Sequence, residues 1–206
     1  SAIQEVLYRV RMAKWHTFLI LTKRPERMRA FFMQYYVQGF IPNLWLGVTA
    51  ENQARFDERV DILKQIPAAV HFVSIEPMLG PIVMRQKAND EREIIQATMM
   101  GVLDDYSRPV MHGIDWVICG GETGPGARPM HPDWARSLRD QCQAARTPFF
   151  FKSWGDWVSP SQMPGETYRR IEDFGDGIGI TDNPRKVGKK AAGRLLDGQE
   201  WNQYPG

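Results

Sequence analysis

The sequence predicts an α/β protein built as a partial (β/α) barrel of parallel strands. Short apolar runs alternate with amphipathic segments along the first two thirds of the 206-residue chain. These runs lack polar alternation, which is typical of strands buried on both faces of a parallel sheet. Polar or charged residues follow every predicted strand, and a barrel gathers such strand ends at one mouth.

Five strands are predicted from the apolar runs, at residues 17–22, 44–49, 70–75, 115–119 and 148–152. Helices are predicted at residues 3–13, 25–36, 51–66 and 132–146. Pro25 favours a helix start, because the first turn does not use the amide that proline lacks. A closed barrel of this type needs eight strands, so five predict a partial barrel or the C-terminal portion of a longer protein.

The predicted organisation has two parts. We expect the partial barrel to span residues 1–154, with a charged insertion at 78–113 that delays the fourth strand. We expect an irregular C-terminal extension, residues 155–206, to pack on the barrel, because Gly and Pro are frequent there as far as about residue 183.

Composition excludes several classes of protein. Cys119 and Cys142 are the two cysteines, too few for a disulfide framework or a cysteine metal site. No apolar run approaches the ~18 residues of a membrane span, and the start has no signal-peptide pattern. We therefore expect a cytoplasmic protein that does not enter a membrane. Net charge is +2, yet basic residues concentrate at 9–29 and at 185–194, which are solvated faces or anion-binding patches.

The first two strand ends carry candidate binding residues. Lys23 and Arg24 precede a helix whose dipole disfavours cations there, which points to a bound anion such as a phosphate or carboxylate. Thr49, Glu51 and Asn52 offer a hydroxyl, a carboxylate and an amide for a ligand such as a ribose. Capping of the next helix, with Thr49 as the cap, explains one of them equally well.

The remaining strand ends carry candidate catalytic carboxylates and a lysine. Glu76 follows the third strand directly and is a catalytic candidate, or else pairs with Lys23 or Lys152.

The loop CGGETGPGARPMHP (119–132) holds Glu122 and Arg128, with Gly120 and Gly121 able to approach a cofactor closely. The alternative is a turn with an internal Glu122–Arg128 ion pair. Lys152 is expected at the mouth, and Trp154 is expected to stack on a substrate or to pack in the core.

Six segments together resemble an uncharacterised phage-associated family: HTFLILTKRPERM, LWLGVTAENQ, HFVSIEPMLGPI, DWVICGGETGPGARPMHPDWARSLRDQC, PFFFKSWG and VGKKAAGRLLDGQEWNQYP. The match runs in order from about residue 16 to 205. Members of that family are regarded as radical S-adenosylmethionine (SAM) proteins with an N-terminal three-cysteine motif for a [4Fe–4S] cluster. Some are accompanied by a partner protein named for that motif.

The resemblance covers the C-terminal two thirds of that family, and the three-cysteine segment is absent here. We therefore expect either a fragment or a variant without the cluster, and no SAM cleavage by this chain. The resemblance implies that Thr49, Glu51, Asn52, Gly120 and Gly121 face SAM.

Two further groups of site residues are expected. The catalytic candidates are Glu76, Glu122 and Lys152. Lys23, Arg24, Arg128 and Trp154 face the substrate, which includes nucleic acid or a nucleotide among its candidates.

Two other functions remain open from the residues alone. One is a glycosidase-like barrel hydrolase with Glu76 and Glu122 as acid and base, which requires free carboxylates about 5–10 Å apart. The other is a non-enzymatic nucleic-acid-binding module that uses the two basic clusters and the tryptophans.

Overall fold

A computed structural model describes residues 2–35, 40–84, 113–163 and 183–206. Five parallel strands form one sheet, and strands that are consecutive along the chain are neighbours in space. They are β1 Phe18–Thr22, β2 Leu44–Thr49, β3 Val70–Ile75, β4 Trp116–Gly120 and β5 Phe149–Ser153. Each lies within one residue of its predicted bounds, because buried apolar runs are a strong local signal.

Helices precede or connect most of these strands. The helices are α1 Ala2–Met12, α2 Pro25–Tyr35, α3 Gln53–Leu63, α4 Pro132–Ala144 and the short α5 Lys189–Ala192. A 3₁₀ turn covers Pro160–Gln162, and β6 Trp157–Val158 pairs antiparallel with β7 Arg185–Lys186. The α/β class is therefore confirmed. No helix in the described ranges is long and apolar enough to cross a membrane.

The hydrophobic core lies between the helices and one face of the sheet. Leu46, Val73 and Val117 point to this face and are at most 1% exposed, as is Leu138 of α4. Sequential strand order with right-handed crossovers places the described connecting helices α2, α3 and α4 on the same face. The opposite face is therefore left free of these helices, as in the wall of a barrel.

That opposite face carries an aromatic cluster centred on Trp116. Its ring centroid lies 5.9 Å from those of Trp45 and Phe72, 6.0 Å from Phe150 and 5.3 Å from Tyr204. The amino-terminal half of this face is thus apolar. Polar side chains lie towards the carboxyl ends of the strands, where a (β/α) fold places its functional groups.

The two edges of the sheet differ. At β5 the C-terminal segment pairs antiparallel, with Phe151 N donating to Trp201 O at 2.9 Å and Gln203 N donating to Phe149 O at 3.1 Å. At β1 none of the described residues adds a strand. Leu19 and Leu21 project from the helix-free face of this strand, in register with Trp45 and Gly47, and are 46% and 49% exposed. The β5 edge is therefore covered, and the β1 edge is exposed within the described part of the chain.

The predicted insertion and extension are described in part. Met78 and Ile82 are each 1% exposed, so the start of the predicted insertion packs in the core. Residues 85–112 and 164–182 lie outside the described residues. The C-terminal extension is held by Asp197, whose carboxylate contacts Arg136 at 2.8 Å and Arg139 at 2.7 Å on α4.

Candidate binding site at the carboxyl end of the sheet

Backbone hydrogen bonds beyond the strands fix the carboxyl rim of the sheet. Ala50 N donates to Ser74 O at 2.9 Å, and Gly121 N donates to Ser153 O at 2.9 Å. The loops that leave the strands are thereby tied to their neighbours. Side chains on these loops are held in position by rigid elements, which favours a binding site.

Lys23, Glu51 and Arg59 form the first charged group at this rim. The Lys23 ammonium contacts Glu51 Oε1, and Arg59 Nη1 donates to Glu51 Oε2 at 3.1 Å and to Thr49 O at 2.7 Å. Burial raises the pKa of Glu51, but its hydrogen bond from Lys23 and the charge of Arg59 outweigh burial and lower that pKa. Glu51 is therefore an anion at neutral pH.

Arg59 was not among the predicted site residues. It is 9% exposed and lies on the same face of α3 as Phe56 and Leu63, which are buried. The signal in the sequence is an arginine within an apolar helical stripe, which requires a partner because a buried cation is costly. Which carboxylate serves as the partner depends on the packing of α3 on β2.

Asn52, and not Thr49, caps α3. The Asn52 side chain accepts a hydrogen bond from Arg55 N at 3.1 Å and caps α3. The expectation that Thr49 is the cap is wrong, because the helix begins later than predicted. Thr49 ends β2, is 5% exposed and pairs in register with Ser74.

Glu76, Lys152 and Ser74 form the second charged group. Lys152 Nζ lies 3.1 Å from Glu76 Oε1 and 3.3 Å from Oε2, and Ser74 Oγ donates to Glu76 Oε2 at 3.2 Å. The lysine is half-exposed and the carboxylate is 22% exposed. The pair is therefore accessible to a ligand.

Gly120 and Gly121 are required by packing within the protein. A Cβ on Gly120 would lie 2.6 Å from Glu76 Oε1, and one on Gly121 would lie 1.9 Å from Trp154 O. Gly120 thus makes room for the site carboxylate. The side of Gly121 where a Cβ would stand is filled by the main chain of Trp154 and Gly155, so a cofactor cannot approach Gly121 from that side.

Glu122 and Arg128 form the internal ion pair that was the alternative to a catalytic role. Arg128 Nε and Nη2 each lie 2.8 Å from a different carboxylate oxygen, and Arg128 N donates to Oε2 at 2.9 Å. Hydrogen bonds from Arg128 lower the pKa of Glu122 to about 2. A carboxyl group that is ionised at all working pH values does not serve as a general acid. The pair also occupies Arg128, which was expected to contact substrate.

Two predicted substrate-binding residues lie away from the mouth. Trp154 is 1% exposed, and its Nε1 donates to Leu195 O at 2.8 Å, so the core-packing alternative applies. Arg24 lines an apolar groove of about 450 Å³ between α1, α2 and β1. Lys23 points to the mouth, whereas Arg24, the next residue in the chain, lies on a different surface.

A [4Fe–4S] cluster does not fit the thiols of this chain. Such a cluster needs three or four thiolates from protein, whereas Cys119 and Cys142 are both fully buried. Burial raises the pKa of each thiol, which opposes the thiolate that a metal binds. No metal-binding group of His, Cys, Asp and Glu was found among the described residues.

Comparison with known proteins gives one match. A family described as "Protein of unknown function (DUF5131)" matches residues 1–205. No curated protein and no solved structure matches the chain.

Proposed function

We propose that this chain, which belongs to the DUF5131 family, forms part of a radical-SAM-like (β/α) barrel and binds SAM at the carboxyl end of its sheet. The proposal follows the resemblance stated above for residues 16–205. Within it, the ligand-facing groups are Lys23, Glu51, Glu76 and Lys152. Arg59 and Ser74 act as positioning residues that hold the two carboxylates.

One observation carries the proposal: the strand ends at the carboxyl rim of the sheet present cations and carboxylates in pairs. Lys23 pairs with Glu51, and Lys152 pairs with Glu76. The amino-acid part of SAM bears an ammonium and a carboxylate. A ligand of that kind can replace either internal pair with equivalent pairs of its own, so that no charge is left without a partner.

The edges of the sheet support the partial barrel. The β5 edge already pairs with residues 201–203, whereas no described strand pairs with the outer edge of β1, whose Leu19 and Leu21 are exposed on the helix-free face. Phe18 N donates to Asn43 O on the β2 side, so strand alternation turns the amides of Leu19 and Leu21 outward. We infer that the barrel wall extends from β1.

The proposed role is binding without SAM cleavage by these residues. A cluster supplies the electron that cleaves SAM in radical enzymes, and the two buried cysteines do not fit one. Cleavage therefore requires thiolates other than those of Cys119 and Cys142. A three-cysteine-motif protein stays a predicted partner.

Isothermal titration with SAM tests the proposal. We expect Glu76→Gln to weaken SAM binding at least tenfold, because it removes the charge that pairs with the ammonium. The matched control is Glu58→Gln, which changes the same charge on an exposed surface of α3. The proposal fails if SAM does not bind, or if both variants bind it as the parent protein does.

The hydrolase alternative receives no support from the site. Glu76 is paired with Lys152 and Glu122 with Arg128, so neither carboxyl group is free to act as a general acid.

A further inference from the structure

We propose that the surface beside β5, at the carboxyl end of the sheet, binds single-stranded nucleic acid. This surface, called the basic rim below, consists of Trp157, Lys186, Lys189 and Lys190. The proposal goes beyond SAM binding and does not depend on it, because none of these residues belongs to the two charged groups of the mouth.

The antiparallel pair of β6 and β7 builds the basic rim. Trp157 pairs with Lys186 and Val158 with Arg185 in an antiparallel register. Residues directly opposite in such a pair project from the same face, so Trp157 and Lys186 lie side by side. An aromatic ring is thus placed next to a cation by the backbone itself.

The rim is attached to the loop that follows β4. Lys186 Nζ donates to Gly124 O at 3.2 Å and to Pro125 O at 2.9 Å, and Trp157 Nε1 donates to Ala127 O at 2.6 Å. The same loop begins with Gly120 and Gly121 at the mouth. The basic rim therefore borders the mouth on the β5 side.

A second set of bonds fixes the segment that follows β7. The amides of Val187 and Gly188 donate to Asp156 O at 2.9 and 3.0 Å. Lys189 and Lys190, which come next, are exposed. They begin the short helix α5, and these bonds tie the residues before it to Asp156, which directly precedes β6, so binding does not have to order this segment.

The positive charge of the rim comes from Lys186, Lys189 and Lys190. In the described part of the chain, none of these three lysines forms an ion pair with an acid, whereas Arg194 pairs with Glu200 at 3.9 Å and is not counted here. Glu122 is paired with Arg128, and Asp156 Oδ2 accepts from Gly124 N at 2.8 Å. A surface with several cations and engaged acids attracts a polyanion, and its affinity falls with salt.

The Trp157 ring favours nucleic acid over other polyanions, because nucleic acid has bases that stack on an aromatic ring. Its ring is half-buried and is fixed by the bond to Ala127, which leaves part of the ring accessible. An accessible, fixed ring beside a lysine stacks on an unpaired base while the lysine contacts phosphate. Bases in a duplex are already stacked, so a single strand is favoured.

The other basic cluster does not join this surface. Arg11 and Lys14 lie on or after α1, which packs near β1 at the opposite edge of the sheet. This separation provides a matched control: the double variants Lys189→Gln/Lys190→Gln and Arg11→Gln/Lys14→Gln both remove two exposed positive charges.

Fluorescence anisotropy with labelled dT15 and U15 at 50 and 200 mM salt tests the proposal. Lys189→Gln/Lys190→Gln should weaken binding about tenfold at 50 mM and reduce the salt slope by about 1.4, at about 0.7 per phosphate contact. Arg11→Gln/Lys14→Gln should change affinity less than twofold. Equal losses in the two variants, or no binding of either oligonucleotide at 50 mM, would overturn the proposal.

Trp157→Leu separates base stacking from charge. It should weaken dT15 or U15 binding by about fivefold or more, because stacking contributes about 1–3 kcal/mol per base. Heparin binding, which involves no bases, should not change. Thermal unfolding confirms that the variant is folded; if it is not, the lysine variants still decide the proposal. Tighter binding of a duplex than of either single strand would contradict it. SAM titration of the same variants should be unchanged, so the two proposals fail independently.

Discussion

Lys152 Nζ lies 3.1 Å from Glu76 Oε1, although β4 runs between the strand that carries the lysine and the strand that precedes the glutamate. Gly120, at the end of β4, makes this contact possible. A Cβ there would lie 2.6 Å from Glu76 Oε1. Because Gly120 has no side chain, Glu76 and Lys152 can meet across β4.

Gly120→Ala should displace the Glu76 carboxylate and break its pair with Lys152. Gly120 does not have a positive φ, so the added methyl group acts through the contact and not through backbone strain. We expect a stability loss of about 1–2 kcal/mol. A double-mutant cycle with Lys152→Met should show that the two changes are not additive, since each removes the same pair. Strict additivity would show that the carboxylate does not depend on Gly120.

Gly121→Ala should destabilise the fold much more strongly. The new Cβ would lie 1.9 Å from the Trp154 carbonyl oxygen, which is backbone and cannot rotate away. We expect a loss of about 3 kcal/mol or more, measured by urea unfolding. The matched control is Gly126→Ala, where a Cβ meets nothing within 4 Å; it should stay within about 0.5 kcal/mol. Similar losses for both variants would contradict the packing argument.

Asp197→Asn should loosen the C-terminal extension. Although burial raises the pKa of Asp197, hydrogen bonds from Arg136, Arg139 and Gln162 outweigh it and lower that pKa to about 2. Asn keeps the shape and tolerates the φ of 54° found here. We expect a loss of about 1–3 kcal/mol at pH 7 in urea unfolding.

The same carboxylate predicts an acid dependence. A pKa lower in the folded than in the unfolded state stabilises the fold above about pH 4, and this stabilisation is lost as pH falls towards 2. Because the side chain is 35% exposed, solvent screening reduces the effect to about 1 kcal/mol. The difference between the parent protein and Asp197→Asn should shrink between pH 5 and pH 3, whereas Asp61→Asn, on the surface of α3, should show no such change. If the stability difference between the two proteins stays constant over this pH range, Asp197 is not the source of the acid dependence.

Leu19→Ala and Leu46→Ala should differ sharply, although both replace a strand leucine. Leu46 is 1% exposed and Leu19 is 46% exposed. Loss of the buried side chain costs about 2–5 kcal/mol, whereas the change at the β1 edge should stay within about 0.5 kcal/mol. Equal losses in urea unfolding would mean that the helix-free face at Leu19 is covered in the folded protein.

Local patterns were sufficient to predict the strands and most helix positions. Continuous apolar runs such as 148–152 gave strand bounds within a residue, because burial on both faces leaves a simple signal. The start of α3 was missed by two residues, since Asn52 and not Thr49 caps it. Both residues are acceptable caps, and only the length of β2 decides between them.

Partners across the sheet could not be predicted in the same way. The sequence allowed Glu76 to pair with Lys23 or Lys152, and the structure selects Lys152. Arg59 was overlooked because its role depends on α3 lying against β2. The sequence allows Trp154 to lie at the mouth or in the core. Only the packing of residues 193–196 around it shows that it lies in the core.

The sequence by itself determined the α/β class, the parallel sheet and the gathering of polar residues at its carboxyl end, because these depend on burial patterns within single segments. The tertiary structure decided which charges pair, which glycines make room and which tryptophan stays accessible. Those properties depend on contacts between residues such as Glu76 and Lys152, which are 76 positions apart in the chain. The local sequence around either residue does not predict this pairing, because the pairing depends on the register of the strands between them.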